Sequence, residues 1–121
     1  MTHAEVEAAY PALYQFLASY FHEDWYEDVT TPEEHLVGGP KPEPDVFKRA
    51  VRAYATGAGE QGAKALAEMD RVLDGRLTDL DLSKLLTHGF GVRYWPGSNE
   101  GYRPWMQEVR TTLAAALANA A

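Results

Sequence analysis

The stretch YPALYQFLASYFHEDWYED, Tyr10 to Asp28, combines a dense run of aromatic side chains with a group of acidic residues. Its apolar residues recur three and four positions apart, which is the spacing of one face of an α-helix. Proline suits the first turn of such a helix, because the N–H that it lacks is not needed there. We therefore predict a helix from Pro11 to about Phe21. Its core face is formed by Leu13, Phe16, Leu17, Tyr20 and Phe21.

Helical signals continue through most of the chain. A short helical turn over residues 4–9 precedes the first helix, and a capping box at Thr31 and Glu34 starts a second one. The glycines and prolines of residues 37–44 then end it. Apolar residues at helical spacing predict further helices near residues 46–57, 63–74 and 78–89, and a last helix from about residue 102. Gly75 and Gly89 are placed to end two of these helices.

Polar connections between amphipathic helices are typical of an all-α bundle. We predict a compact single domain, residues 1–121, built from about five to six helices. Two segments leave their local structure open. GAGEQG, residues 57–62, is either a loop or a weakened part of a continuing helix, and FGVRYWPGSNEG, residues 90–101, is an extended piece that leads into a turn.

The composition limits the kinds of partner. The 121 residues carry a formal net charge of -7 and no cysteine, so neither a disulfide framework nor a thiolate metal site is possible. No secretory signal or membrane-spanning segment is visible, and a cytoplasmic location is expected. An acidic domain repels phosphate backbones, which argues against nucleic acid and favours a basic protein. The other interpretation is that the charge only keeps a small protein soluble.

Motifs for catalysis are sparse. His22 lies beside Glu23 and Asp24, but no second histidine follows at helical spacing, so a metal site or an acid–base pair is the less favoured interpretation. A histidine that bonds backbone groups at a helix end is favoured instead. The GxGxxG spacing of residues 57–62 follows a helical segment rather than a strand, which argues against a dinucleotide site. We expect no catalytic residues, no metal and no cofactor.

The acidic residues around Trp25 have two interpretations. If residues 23–28 are helical, Glu23, Asp24, Glu27 and Asp28 form one negative ridge, and Glu33 and Glu34 extend it across the next turn. Such a ridge is either a solvated face or a site for a basic partner, with Trp25 and Tyr26 as possible anchors. Trp25 and Trp105 are expected to plug the spaces between helices.

Residues 10–25 resemble the opening motif of the CdiI-type immunity proteins of contact-dependent growth inhibition and related polymorphic toxin systems. The motif reads approximately Pro-x-Leu-x-x-Phe-Leu-x-x-Tyr-Phe-His-x-Asp-Trp. This chain supplies Pro11, Leu13, Phe16, Leu17, Tyr20, Phe21, His22, Asp24 and Trp25 in register. TPEEHL, LAEMDRVLDGRLTDLDLSKLL and GVRYWPGSNEGYRPWMQEVRTTL resemble later parts of the family, whereas residues 37–46 depart from it.

The resemblance implies a bacterial cytoplasmic protein without catalysis of its own, which binds and blocks a cognate toxin domain. Many such toxins are nucleases. We expect no nucleic-acid, membrane or small-molecule partner. The candidate toxin-binding residues are Glu23, Asp24, Tyr26, Glu27, Asp28, Glu33 and Glu34. Two alternatives stay open. One is a small all-α enzyme or ligand-binding domain that uses His22 and Asp24, and the other is an α-helical regulator of a different protein.

Overall fold

The computed structural model describes residues 2–120, and α-helices form most of this part of the chain. Its helices are α1 (His3–Ala9), α2 (Pro11–Tyr20), α3 (Trp25–Val29), α4 (Phe47–Ala58), α5 (Glu60–Val72), α6 (Asp79–Lys84) and α7 (Tyr102–Ala120). A 3₁₀ turn, Pro32–His35, follows α3, and a π-helical turn, Leu85–Gly89, continues α6.

The all-α class predicted from the sequence is confirmed, since residues 2–120 contain no strand. Seven α-helices in this range exceed the five to six that we predicted. The extra helix is α3, which is separate from α2 because the chain turns between Phe21 and Asp24. The capping box at Thr31 is present, but it opens only a single 3₁₀ turn.

The core face of α2 is largely as predicted. Leu13, Phe16, Leu17 and Phe21 are fully buried, whereas Tyr20 is only partly buried. The Tyr20 ring lies at the edge of the core, 5.5 Å from the ring of Tyr54 on α4. Helix α2 packs against α5 and α4, and the long α7 packs against α4, α5 and α6. One hydrophobic core therefore joins the helices.

An aromatic cluster fixes the segments on both sides of the core. Trp105 of α7 stacks on Tyr94 with ring centroids 4.7 Å apart and meets Phe21 edge-on at 5.2 Å. Trp25 packs against Phe21 and Tyr94. Both tryptophans are buried, as the plugging role requires. A backbone hydrogen bond holds the extended segment after the π-helical turn: the backbone N–H of Arg93 donates to the Phe21 carbonyl at 2.8 Å.

Two of the three glycines in residues 57–62 have a structural role. Gly59 adopts a φ of 55° and alone separates α4 from α5, so neither a loop nor a continuing helix is present. Gly62 lets α5 approach α7 closely, because a Cβ at this position would lie 2.6 Å from Cδ2 of Leu117. Backbone geometry thus accounts for Gly59 and packing for Gly62, whereas a Cβ at Gly57 would meet no atom within 4 Å.

The predicted N-terminal cap of α6 is present, whereas the predicted end at Gly89 is not a regular helix end. Thr78 Oγ1 accepts the Asp81 N–H at 3.1 Å, which is the predicted N-terminal cap. Gly89 does not close a regular α-helix. The helix instead widens into the π-helical turn, in which the Phe90 N–H donates to the Leu85 carbonyl at 2.9 Å.

The start of α2 depends on a residue from a distant helix. Tyr10 occupies the N-cap position of α2 and provides no side-chain cap. Glu68 of α5 takes that role. Its Oε1 accepts the Leu13 N–H at 2.9 Å, and its Oε2 accepts the Ala12 N–H at 3.4 Å. A buried carboxylate at a helix N-terminus pairs with unsatisfied N–H groups and with the positive end of the helix dipole.

Replacing Glu68 with Ala should lower the free energy of unfolding by about 2 kcal/mol, since the N–H groups of α2 lose a buried, charged acceptor. Urea unfolding followed by circular dichroism measures the change. Glu108→Ala is the control, because the Glu108 side chain is exposed and accepts no hydrogen bond within the described part of the chain. Equal losses in the two variants would contradict the capping role.

Candidate functional site

Helix α3 is anchored in the core by Trp25 and, in part, by Val29, while its other three residues face solvent. Trp25 is buried in the aromatic cluster, whereas Tyr26, Glu27 and Asp28 are exposed. Glu23 and Asp24 are exposed too, but they lie in the turn before α3. The condition for a single helical ridge over residues 23–28 is therefore not met, although the four carboxylates remain on the surface.

His22 holds the turn between α2 and α3. Its Nδ1 accepts the Asp24 N–H at 3.1 Å, and its Nε2 lies 3.0 Å from Oδ2 of Asp28. This arrangement requires the neutral tautomer with the proton on Nε2, which then donates to Asp28. Both ring nitrogens are engaged, so His22 has no free nitrogen with which to act as a general base.

Glu34 is part of the scaffold. Its side chain is only 9% exposed, and its two oxygens accept hydrogen bonds from Nη1 and Nη2 of Arg49 at 2.8 and 2.9 Å. Oε1 also accepts the Thr31 N–H at 2.8 Å. The hydrogen bonds from Arg49, and next the one from Thr31, lower the pKa of the Glu34 carboxyl to about 2. Of the predicted toxin-binding residues, Glu34 is thus turned toward α4.

Arg49 also bonds Glu43, which lies in the Gly- and Pro-rich segment of residues 37–44, and the end of α3. Its Nη2 donates to Oε2 of Glu43 at 2.7 Å, and its Nη1 donates to the Val29 carbonyl at 2.9 Å. The pKa of Glu43 is lowered, mainly by the hydrogen bond from Arg49. One arginine of α4 therefore fixes the end of α3, the 3₁₀ turn and the segment that leads into α4.

The side chains that remain free around α3 form a surface that we call the acidic surface. It consists of Glu23, Asp24, Glu27, Glu33, Tyr26, Leu36 and Val37. None of the three glutamates has a Lys or Arg ion-pair partner among residues 2–120. Tyr26 packs edge-on against His35, 5.8 Å between ring centroids.

Leu36 and Val37 belong to the acidic surface but are not among the predicted toxin-binding residues. Leu36 is 60% exposed and Val37 fully so, at the tip of the turn before Gly38. The sequence did carry a signal, because two adjacent apolar residues stand between a short helical turn and a Gly/Pro-rich segment that cannot bury them.

A polar groove of about 780 Å³ lies beside the acidic surface and contains His22, Glu23 and Asp24. The fold adds His3, His88 and the exposed ring of Trp95 to its walls. The groove thus collects three of the four histidines. Within residues 2–120, no group of three or more His, Asp or Glu side chains is arranged to hold a metal ion.

No family model, no curated protein and no solved structure matches this chain. These comparisons do not test the resemblance of residues 10–25 to the CdiI-type immunity proteins, which stays a prediction. None of the helices in the described range combines the length and apolar character that crossing a bilayer requires.

His22→Ala should lower the free energy of unfolding by about 1 kcal/mol, because the Asp24 N–H loses its acceptor and the turn before Trp25 loosens. His22→Asn is the matched variant, since its side-chain oxygen can replace Nδ1 as the acceptor. We expect Asn to retain most of the stability in urea unfolding. A loss as large in Asn as in Ala would show that the hydrogen bond to Asp24 does not matter.

The lowered pKa of Glu34 predicts how the free energy of unfolding changes in acid. A carboxyl whose folded pKa is depressed stabilises the fold above its ordinary value of 4.5, and this contribution is lost as the pH falls toward about 2. Glu34→Gln should therefore be less stable at neutral pH and should lose less further stability between pH 4.5 and 2. Unfolding free energies over this range measure the slope. Glu33→Gln, at an exposed neighbour, should keep the wild-type slope, and an unchanged slope in Glu34→Gln would refute the assignment.

Proposed function

We propose that this protein is an immunity protein, which binds a cognate toxin domain and neutralises it in the cytoplasm of the producing cell. The observation that carries the proposal is the acidic surface, which combines exposed apolar side chains with three exposed glutamates that have no Lys or Arg partner within residues 2–120. The resemblance of residues 10–25 to the CdiI-type family and the net charge of -7 support it.

The acidic surface has the composition of a protein-binding site rather than of a merely solvated face. Tyr26, Leu36 and Val37 supply apolar contacts of the kind that dominate binding energy at the centre of an interface. The glutamates make this surface negative, which accelerates encounter with a positive partner and rejects a negative one. A nuclease domain fits this description, because its phosphate-binding cleft is basic.

The scaffold around the acidic surface favours a preformed site. Trp25 anchors α3 in the core, and Arg49 ties the 3₁₀ turn to α4 through Glu34. A surface that is already ordered loses little conformational entropy on binding, which increases affinity. A protein that inhibits a toxin by binding must form a stable complex, and it needs no catalytic activity of its own.

The polar groove is the observation that favours the second candidate, a ligand-binding domain or enzyme that uses His22 and Asp24. The geometry of His22 argues against catalysis, because its two ring nitrogens are engaged by Asp24 and Asp28. A regulator of some other protein would use the same acidic surface. The two protein-binding functions differ in whether the chain protects a cell against a toxin.

The decisive experiment is co-expression with the toxin domain encoded next to this gene, followed by copurification and a survival assay. We expect a stoichiometric complex and survival of cells that otherwise die. A gene that has no toxin domain beside it, or a toxin domain that neither binds nor is neutralised, would contradict the proposal.

Reversing Glu23, Glu27 and Glu33 to Lys should slow association with a basic toxin by about tenfold or more at low salt, because charge steering is lost. Asp28 and Glu34 are left intact, since each is bonded within the fold. Stopped-flow association rates at several salt concentrations measure the effect.

The control reverses Glu7, Glu60 and Glu100, which are also exposed but lie on α1, at the start of α5 and in the turn before α7. The two triple variants have the same net charge. If both slow association equally, overall charge rather than the acidic surface steers the encounter. If neither does, the acidic surface is only solvated.

A further inference from the structure

A second groove, of about 850 Å³, lies between the start of α2, the end of α5 and α6 with its π-helical turn. We call it the arginine groove and define it by Tyr10, Arg71, Arg76, Leu77, Lys84 and Leu85. Leu77 and Leu85 are partly buried against the core, so they form an apolar floor. The three cationic side chains lie along the walls.

Arg71 is held in place while its charge stays uncompensated. Its guanidinium lies 4.8 Å over the centroid of the Tyr10 ring, and its Nη2 donates to the Ala9 carbonyl at 3.3 Å. In the part of the chain that the structure describes, no carboxylate forms an ion pair with it. A stacked guanidinium with free N–H groups presents a planar donor fork that matches a carboxylate or a phosphate.

The rest of the wall keeps an excess of positive charge. Lys84 also has no carboxylate partner between residues 2 and 120, whereas Arg76 pairs with Asp74 at 3.4 Å. Asp81 is the other carboxylate that lines the groove, and His88 lies at its edge. Three cations therefore face two carboxylates, one of which is already paired. This balance is the opposite of the chain as a whole, with its net charge of -7.

The π-helical turn shapes one side of the groove. It contributes Leu85 and His88, and its wider backbone bond joins Phe90 to Leu85. Single π-helical turns within α-helices occur frequently at functional sites. The volume lies within the roughly 300–1,000 Å³ of ligand pockets, which combine apolar walls with a few polar groups that orient the ligand.

We propose that the arginine groove binds a small organic anion. Its carboxylate or phosphate group accepts hydrogen bonds from the Arg71 guanidinium and gains further attraction from Lys84, while its apolar body lies against Leu77 and Leu85. The proposal goes beyond the immunity function and is independent of it, since the groove shares no residue with the acidic surface.

Titration of the ¹⁵N-labelled chain with four probes tests this assignment: phenylacetate, phenyl phosphate, inorganic phosphate and the neutral 2-phenylethanol. We expect saturable amide shifts confined to residues around the groove with one or both aromatic anions, which also reveals whether a carboxylate or a phosphate is preferred. Inorganic phosphate and the neutral alcohol should bind at least about tenfold more weakly, because each lacks one half of the interaction. Equal binding of inorganic phosphate, or no localised shifts with either aromatic anion, would overturn the proposal.

Variants assign the binding to Arg71. Arg71→Gln should weaken binding by about tenfold or more, and Arg71→Lys by a smaller factor, because Lys keeps the charge but loses the planar fork. Lys64→Gln is the control, since it removes the same charge from an exposed position of the same helix. The dispersion of the amide spectrum shows that each variant is folded. Wild-type affinity in a folded Arg71→Gln variant, or an equal loss in Lys64→Gln, would refute the site.

Discussion

The carboxylate of Glu68 is the contact on which the arrangement of the helices depends. Helix α2 buries Ala12, Leu13, Phe16 and Leu17 in the core, yet Tyr10 at its N-cap provides no side-chain cap. Glu68 provides it from α5, in a buried position beside the Leu13 N–H. An uncapped, buried helix start leaves N–H groups without acceptors, at a cost comparable to a lost buried hydrogen bond. The same contact therefore fixes α2 and aligns it with α5.

A series of contacts leads from α2 to the surface of the protein. The chain leaves α2 at Phe21, whose carbonyl accepts the Arg93 N–H, and turns through the His22 hydrogen bonds to bury Trp25. Because Trp25 is the buried residue of α3, the next three side chains are directed to solvent. Arg49 then secures the 3₁₀ turn through Glu34. A set of mostly structural contacts thus produces an exposed, ordered face that is suited to a protein partner.

Charge is divided unevenly over this small domain. Within residues 2–120, the acidic surface carries three glutamates without a Lys or Arg partner, together with Tyr26, Leu36 and Val37. The arginine groove carries Arg71 and Lys84, which have no carboxylate partner in the same range, beside the half-buried Leu77 and Leu85. If the charged residues only kept the protein soluble, they would not need to cluster beside exposed or half-buried apolar side chains in either region. The two regions suit different ligands as well. The first exposes apolar side chains of the kind found at the centre of protein interfaces, and the second is a groove, which suits a small ligand.

The sequence by itself determined the all-α class, most of the core face of α2, the cap at Thr78 and the burial of both Trp25 and Trp105. These features follow from spacing and local hydrogen bonds, in which the interacting residues are near one another along the chain. The number of helices and the break at Gly59 were only partly predictable, because they depend on how the ends pack. Only the tertiary structure revealed the Glu68 cap, which joins residues 55 positions apart, and the Arg49–Glu34 pair, 15 apart. It also decided that Glu34 faces inward while Leu36 and Val37 face outward. Local pattern cannot specify such outcomes, since each depends on which distant side chain the folded chain brings within hydrogen-bond reach.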